Sequence, residues 1–143
     1  MGRVLGAVAL LALSGCGGTS ASDDPRTEPT SCAAPGEERA PRALTQRLDL
    51  GDAVGWSDIR VEESSVNATG IAPGTDLATL LALSQDALDA AGWDPLTLDD
   101  EGFEAELLAR DDAGGLLAVN LREATCPGQV LVAVSITEYS DLG

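Results

Sequence analysis

The apolar residues between positions 76 and 139 change their repeat once, from the helical period to the period of two. That switch restricts the chain to a mixed fold, because a helical stripe does not sit in a sheet and an alternating run does not form a one-sided helix. The helical part runs from about Asp76 to Ala91, with Leu77, Leu80, Leu81, Leu88 and Ala91 on one stripe. Pro73-Gly74-Thr75 forms a turn ahead of it, with Thr75 as N-cap and Asp76 in the first turn, where the helix dipole favours an acid. Gly92 suits the left-handed position after the last turn, and Pro95 ends any continuation. Trp93 then falls where it can fold back on that turn, as a core residue.

Alternation takes over at about 103–110, where Phe103, Ala105, Leu107 and Ala109 interleave with Glu104, Glu106, Leu108 and Arg110. The turn Asp111-Asp112-Ala113-Gly114-Gly115 leads into a second strand at 116–122. Placing Arg110 opposite Leu116 sets Leu107 across from Val119 and Ala105 across from Leu121 on the buried side. The same register sets Glu104 across from Arg122 and Glu106 across from Asn120 on the other side, so pattern and charge agree. A third strand, at about 130–139, is apolar on both faces at its start and is expected to be central. In residues 43–72 the alternation is broken, with Gly51 and Gly55 interrupting it. One to three short strands are expected there, which extend the sheet or cover Leu108, Leu116 and Leu131 on its second face. The expected class is α+β: one main helix packed on an antiparallel sheet with a three-stranded C-terminal meander.

Charge then narrows the chemistry. Among 143 residues there are 8 basic side chains, all Arg, and 24 acidic ones, for a net charge of −16, with no His and no Lys. Without His, the usual acid–base group near neutral pH and the commonest metal ligand are missing. Without Lys there are no Schiff bases and no Ser–Lys pairs. A net charge of −16 argues against nucleic acid as a partner, since little here neutralises a run of phosphates. It also argues against docking on anionic lipid by charge. No catalytic residue, cofactor or metal is expected.

At the N-terminus Arg3 precedes an uncharged, mostly apolar run from Val4 to Leu13. Ten residues of helix rise about 15 Å, half a bilayer core, which is short for a span and right for an export signal. Leu13-Ser14-Gly15-Cys16 follows, and this order resembles the lipobox of bacterial lipoproteins. The resemblance covers residues 1–16 only. It implies that a diacylglyceryl group is added to the Cys16 thiol and that cleavage occurs just before it. Residues 1–15 are then a lipoprotein signal peptide. The mature chain keeps 128 of the 143 residues and, having lost Arg3, carries −17. Its acyl chains would hold it by lipid on the outer, extracytoplasmic face of the cell membrane.

Residues 16–42 are rich in Gly, Ser, Thr, Pro and charge and show no period, so they read as a flexible tether to a single domain at 43–143. With Cys16 acylated, Cys32 and Cys126 remain, and an even pair in an exported protein is most simply a disulfide. Closing so long a loop stabilises the fold by about 4–5 kcal/mol on the chain-entropy account.

Three local patterns are candidate sites. Asp99-Asp100-Glu101-Gly102 invites comparison with a calcium loop, but anchoring on Gly102 puts Thr97 and Leu108 at the two ends where acids are needed. A solvated acidic loop is the better reading. Glu104 and Glu106 could be a carboxylate pair for hydrolysis, but Arg122 is expected opposite Glu104 and no cleft is evident. Asn67-Ala68-Thr69 fits a glycosylation sequon, which in a bacterial chain is chance. The function expected is a non-catalytic binding or interaction module of the cell envelope, with an exported protein of basic surface as partner. A small-molecule or ion-binding module is the alternative and needs a concave apolar pocket beside the helix. A hydrolase working by carboxylates alone is the remaining class.

The pairing of Cys32 with Cys126 predicts no free thiol from either residue on the unreduced mature chain. Thiol titration of the unfolded, unreduced protein reads this directly, and two free thiols would remove the disulfide.

Overall fold

A computed structural model describes Cys32 and residues 34–138; the expected signal segment and Cys16 lie outside the described residues. The elements in order are a short helix α1 (Arg42–Thr45), a single 3-10 turn (Gly51–Ala53), β1 (Gly55–Val61), β2 (Ser65–Pro73), α2 (Leu77–Ala90), β3 (Asp94–Asp100), β4 (Glu104–Arg110), β5 (Leu116–Glu123) and β6 (Gln129–Thr137). The strands form one six-stranded sheet in the order β1-β2-β6-β5-β4-β3, every pair antiparallel. The class is therefore α+β, with one main helix, as the change of period implied.

The register inferred from alternation holds residue by residue. Arg110 lies opposite Leu116, Leu107 opposite Val119, Ala105 opposite Leu121, Glu104 opposite Arg122 and Glu106 opposite Asn120. β6 is central, paired with β5 on one side and with β2 over nine residues on the other. Its apolar sequence on both faces follows from that position.

The helix spans one residue less at each end than expected, and its cap is Asp76 rather than Thr75. Asp76 has extended backbone angles, and its Oδ1 accepts from the Thr79 backbone N–H at 2.7 Å. An aspartate is at least as good a cap as a threonine, and here the carboxylate takes the role. At the other end Gly92 has φ +79°, and its N–H donates to the Asp89 carbonyl while the Trp93 N–H donates to Leu88. These two bonds are the paired closure that a left-handed glycine permits. Trp93 is buried, and its Nε1 donates to the Arg47 carbonyl at 2.7 Å.

Two expectations are corrected. The meander has four strands rather than three, because Asp94–Asp100 forms β3. β3 is the edge strand and all seven of its residues are exposed, so it carries no burial alternation to detect. Pro95 stops the helix but stands in this strand, beside an irregularity between Pro95 and Thr97, as edge strands allow. Upstream there are two strands, β1 and β2, and Leu44, Leu48 and Leu50 belong to neither. Leu44 and Leu48 are four apart, a helical spacing, and α1 with the turn after it buries both. Of the two arrangements expected for residues 43–72, extension of the sheet is the one found, through β1 and β2, and these leucines do not cover its second face. They join the same core as α2, with Val54, Trp56, Leu80, Leu117, Leu121 and Ile136.

That core lies wholly between the sheet and the layer formed by α2 and residues 40–54. α2 packs on β5, β4 and β3, and Arg47 ties the other cover in place. Besides accepting from Trp93, Arg47 reaches Asp111 at 3.5 Å and pairs with Glu138.

The N-cap bond holds the Asp76 carboxyl below its usual value of 3.8, chiefly because the Thr79 backbone N–H favours the charged form. A folded pKa below the unfolded one means this contribution is present above the unfolded value and is lost as pH falls through the folded value. Asp76→Asn, which keeps an acceptor but cannot titrate, is expected to flatten the acid limb of stability below about pH 4. Urea unfolding from pH 2.5 to 6 checks this, and an unchanged acid limb would contradict it.

Candidate functional site on the open face of the sheet

With α2 and residues 40–54 on one side, no element covers the opposite face among the described residues. Side chains reach this open face at every second position, and the ladder aligns them in rows across the strands. One row runs Asp58, Thr69, Ala133, Asn120, Glu106 and Asp99. The next runs Arg60, Asn67, Ser135, Ala118, Leu108 and Thr97. The first four strands of these rows enclose an open trough of about 280 Å³, lined by Asp58, Arg60, Asn67, Thr69, Asn120 and Ser135 and floored by Ala68, Ala133 and Val134. It lies on the face away from α2, not beside the helix, and its walls are polar.

Two contacts order the trough. Arg60 pairs with Asp58 at 3.1 Å, and the Ser135 hydroxyl donates to Asn67 Oδ1 at 2.9 Å. Both members of the ion pair are more than half exposed, at 73% and 52% of their side chains. The arrangement offers a guanidinium, a carboxylate, two amides and two hydroxyls within one shallow recess, which suits several hydrogen bonds to a polar surface or ligand. Toward β5 the face becomes more apolar. Leu108, Ala118, Leu131 and Ala133 are half-buried and Leu116 is 46% exposed.

One end of the open face is closed by the chain before α1. The Gly36 N–H donates to the Gly55 carbonyl at 3.2 Å and the Glu38 N–H to the Trp56 carbonyl at 3.0 Å. Pro35 passes so close that a Cβ on Gly55 would stand 2.6 Å from its own Cβ, hence the glycine. Cys32 and Cys126 stand at disulfide distance, with Cα atoms 5.4 Å apart and a sequence separation of 94. Cys126 and Ile71 are buried, yet neither belongs to the main core.

The other residues singled out from the sequence fall as follows. Cys16 is outside the described residues. Asp99 and Asp100 end β3, and Glu101 and Gly102 turn into β4. Asp100 Oδ1 accepts from the Gly102 N–H at 2.9 Å, so this carboxylate organises a tight turn. Thr97 and Leu108, the two ends of the supposed calcium loop, face each other across β3 and β4. The acidic stretch is thus a hairpin and not a loop. Among the described residues, no three His, Cys, Asp or Glu side chains converge as a metal site. Glu104 and Glu106 follow each other along one strand face, side by side, with Arg122 and Asn120 as their neighbours on β5.

Asn67 and Thr69 prove to be open-face positions of β2, and the trough residues Asp58, Arg60 and Ser135 were missed. A signal existed: Val66, Ala68 and Gly70 alternate with Asn67 and Thr69, as a half-solvated strand should. No helix among the described residues is long and apolar enough to cross a membrane. The chain matches no family model, no curated protein and no solved structure.

The two faces are expected to respond differently to truncation. Leu117→Ala removes a fully buried side chain and should cost about 2–5 kcal/mol. Arg60→Ala breaks only an exposed ion pair and should cost less than about 1 kcal/mol. Urea denaturation of the two variants measures both, and a large loss for Arg60→Ala would make the trough structural rather than free for binding.

Proposed function

We propose that this chain is an exported lipoprotein, anchored through diacylated Cys16 on the extracytoplasmic face of the membrane, whose domain is a non-catalytic module that binds another exported protein. The observation that carries the binding part is the one-sided cover of the sheet. The main core gathers under α2 and residues 40–54, and the opposite face keeps half-buried leucines beside an ordered polar trough. An exposed face that mixes apolar and hydrogen-bonding groups is what a non-obligate protein interface is made of. The anchor rests on the order of Arg3, the apolar run and Leu13-Ser14-Gly15-Cys16. A disulfide between Cys32 and Cys126, which fits an exported chain, shortens the free tether to about residues 17–31. With a mature charge of −17 once Arg3 is lost, a partner of basic surface is favoured in encounter rate and specificity.

The trough supports a second reading. A recess of about 280 Å³ with convergent polar groups, just below the usual range for ligand pockets, would admit a small polar ligand.

The test compares the wild-type chain with Cys16→Ala, each with a C-terminal tag, by membrane fractionation, in-cell crosslinking and pull-down. The wild type should sediment with membranes and yield a specific exported protein. Cys16→Ala should leave the membrane fraction and lose that protein. A variant that sediments like the wild type would remove the anchor. Absence of any specific crosslink would remove the partner reading and turn attention to a ligand screen on the trough.

A further inference from the structure

A six-stranded open sheet has two edges, and this chain treats them differently. The β1 edge is occupied in part by its own N-terminal segment, through the Gly36 and Glu38 hydrogen bonds to Gly55 and Trp56. The β3 edge has no strand beyond it among the described residues, and Asp94–Asp100 is exposed throughout. Such an edge presents a row of backbone donors and acceptors ready to pair with another strand. Seven residues offer about 23 Å of it.

The side chains around this edge have a definite character. On the face toward α2, Leu98 continues the row of Leu107 and Val119 but is 49% exposed, because the row ends with it. Leu96, at the irregularity, is 43% exposed. On the open face, Asp99 lies directly opposite Glu106, whose other neighbour is Asn120. Two acids facing across a ladder repel, and no basic side chain stands in that row to relieve them. Asp100 and Glu101 extend the same negative end.

These features favour one kind of occupant. A second copy of the chain would bring another acidic strand to an acidic edge, and two molecules of net charge −16 repel before they meet. A strand that places an apolar residue beside Leu98 and a basic one beside Asp99 would cover the exposed leucine and neutralise the like-charged pair. The acids thus disfavour self-pairing and favour a basic strand, which is specificity by repulsion and attraction together. We propose that β3 is a docking edge for an extended segment of alternating apolar and basic residues from an exported protein, which adds a seventh strand to the sheet. This rests on the partner reading above and names the surface and the chemistry of the contact. The added strand also prolongs the open face, so the rest of the partner can lie across it.

The experiment uses the full chain in detergent micelles and two seven-residue peptides, one alternating Lys and Val, the other Glu and Val. Amide hydrogen exchange is followed along the chain. The Lys–Val peptide is expected to slow exchange within residues 94–100 by at least about tenfold, and the Glu–Val peptide to leave it unchanged. The double variant Asp99→Lys with Asp100→Lys should lose the first effect and gain protection from the Glu–Val peptide, a gain that an unfolded chain could not show. Binding of the Lys–Val peptide without protection of β3, or binding that the double variant leaves unchanged, would overturn the proposal. A photocrosslinking residue placed in cells at Leu96 or at Ser135 separates the two levels. An adduct at Leu96 agrees with edge docking. An adduct at Ser135 alone removes the edge and keeps the partner, and none at either position removes both.

Discussion

One helix cannot cover six strands, and much of this structure follows from that. Outer strands of a six-stranded sheet lie about 24 Å apart, whereas a helix with its side chains is only about 10–12 Å wide. α2 therefore shields β3, β4 and β5, where its contacts are. The half of the sheet that holds β1 and β2 needs another cover, and residues 40–54 provide it with Leu44, Leu48, Leu50 and Val54. Irregular chain is a poor cover unless its backbone polar groups are satisfied. Here the Arg47 carbonyl takes the Trp93 indole N–H, and the Arg47 guanidinium joins the β4–β5 turn and the residue just after β6. A single residue thus joins the two halves of the covering layer to each other and to the sheet.

The same constraint sets the topology. β2 and β3 are consecutive strands on either side of α2, yet β2 is second in the sheet and β3 is at the far edge. The helix carries the chain across the covered face between them. β4, β5 and β6 then return by hairpins until β6 closes against β2. No helix or further sheet covers the opposite face among the described residues, and its alternation of Asn67 and Thr69 with Val66 and Ala68 reflects that solvated position.

What could be read from the amino acids divides along physical lines. The helix was legible because a stripe of leucines and the Gly92 stop are local signals. The β4–β5 register was legible because burial and charge independently required the same pairing. β3 was not, because an edge strand exposed on both faces has no pattern, and Asp94, Pro95, Asp99 and Asp100 are poor strand formers on their own. α1 was hidden by its length, since its four residues hold Leu44 alone and Leu48 falls in the chain just after it. The trough was the least legible part. Asp58 and Arg60 gain meaning only when β1 is placed beside β2, and Ser135 only when β6 is placed on the other side. Pairing between distant segments creates such a site, and no local window contains it.

The position of the two cysteines bears on how the domain carries load. A covalent link from Cys32 to Cys126 encloses α1, α2 and five of the six strands in one loop, leaving β6 beyond it. Tension arriving from the N-terminal side would then enter at Cys32, cross to Cys126 and reach the chain just before β6. The hydrogen bonds between β1 and β2, and the short strap along β1, would lie outside the line of force. A domain linked in this way would not peel strand by strand from its N-terminal side under such tension.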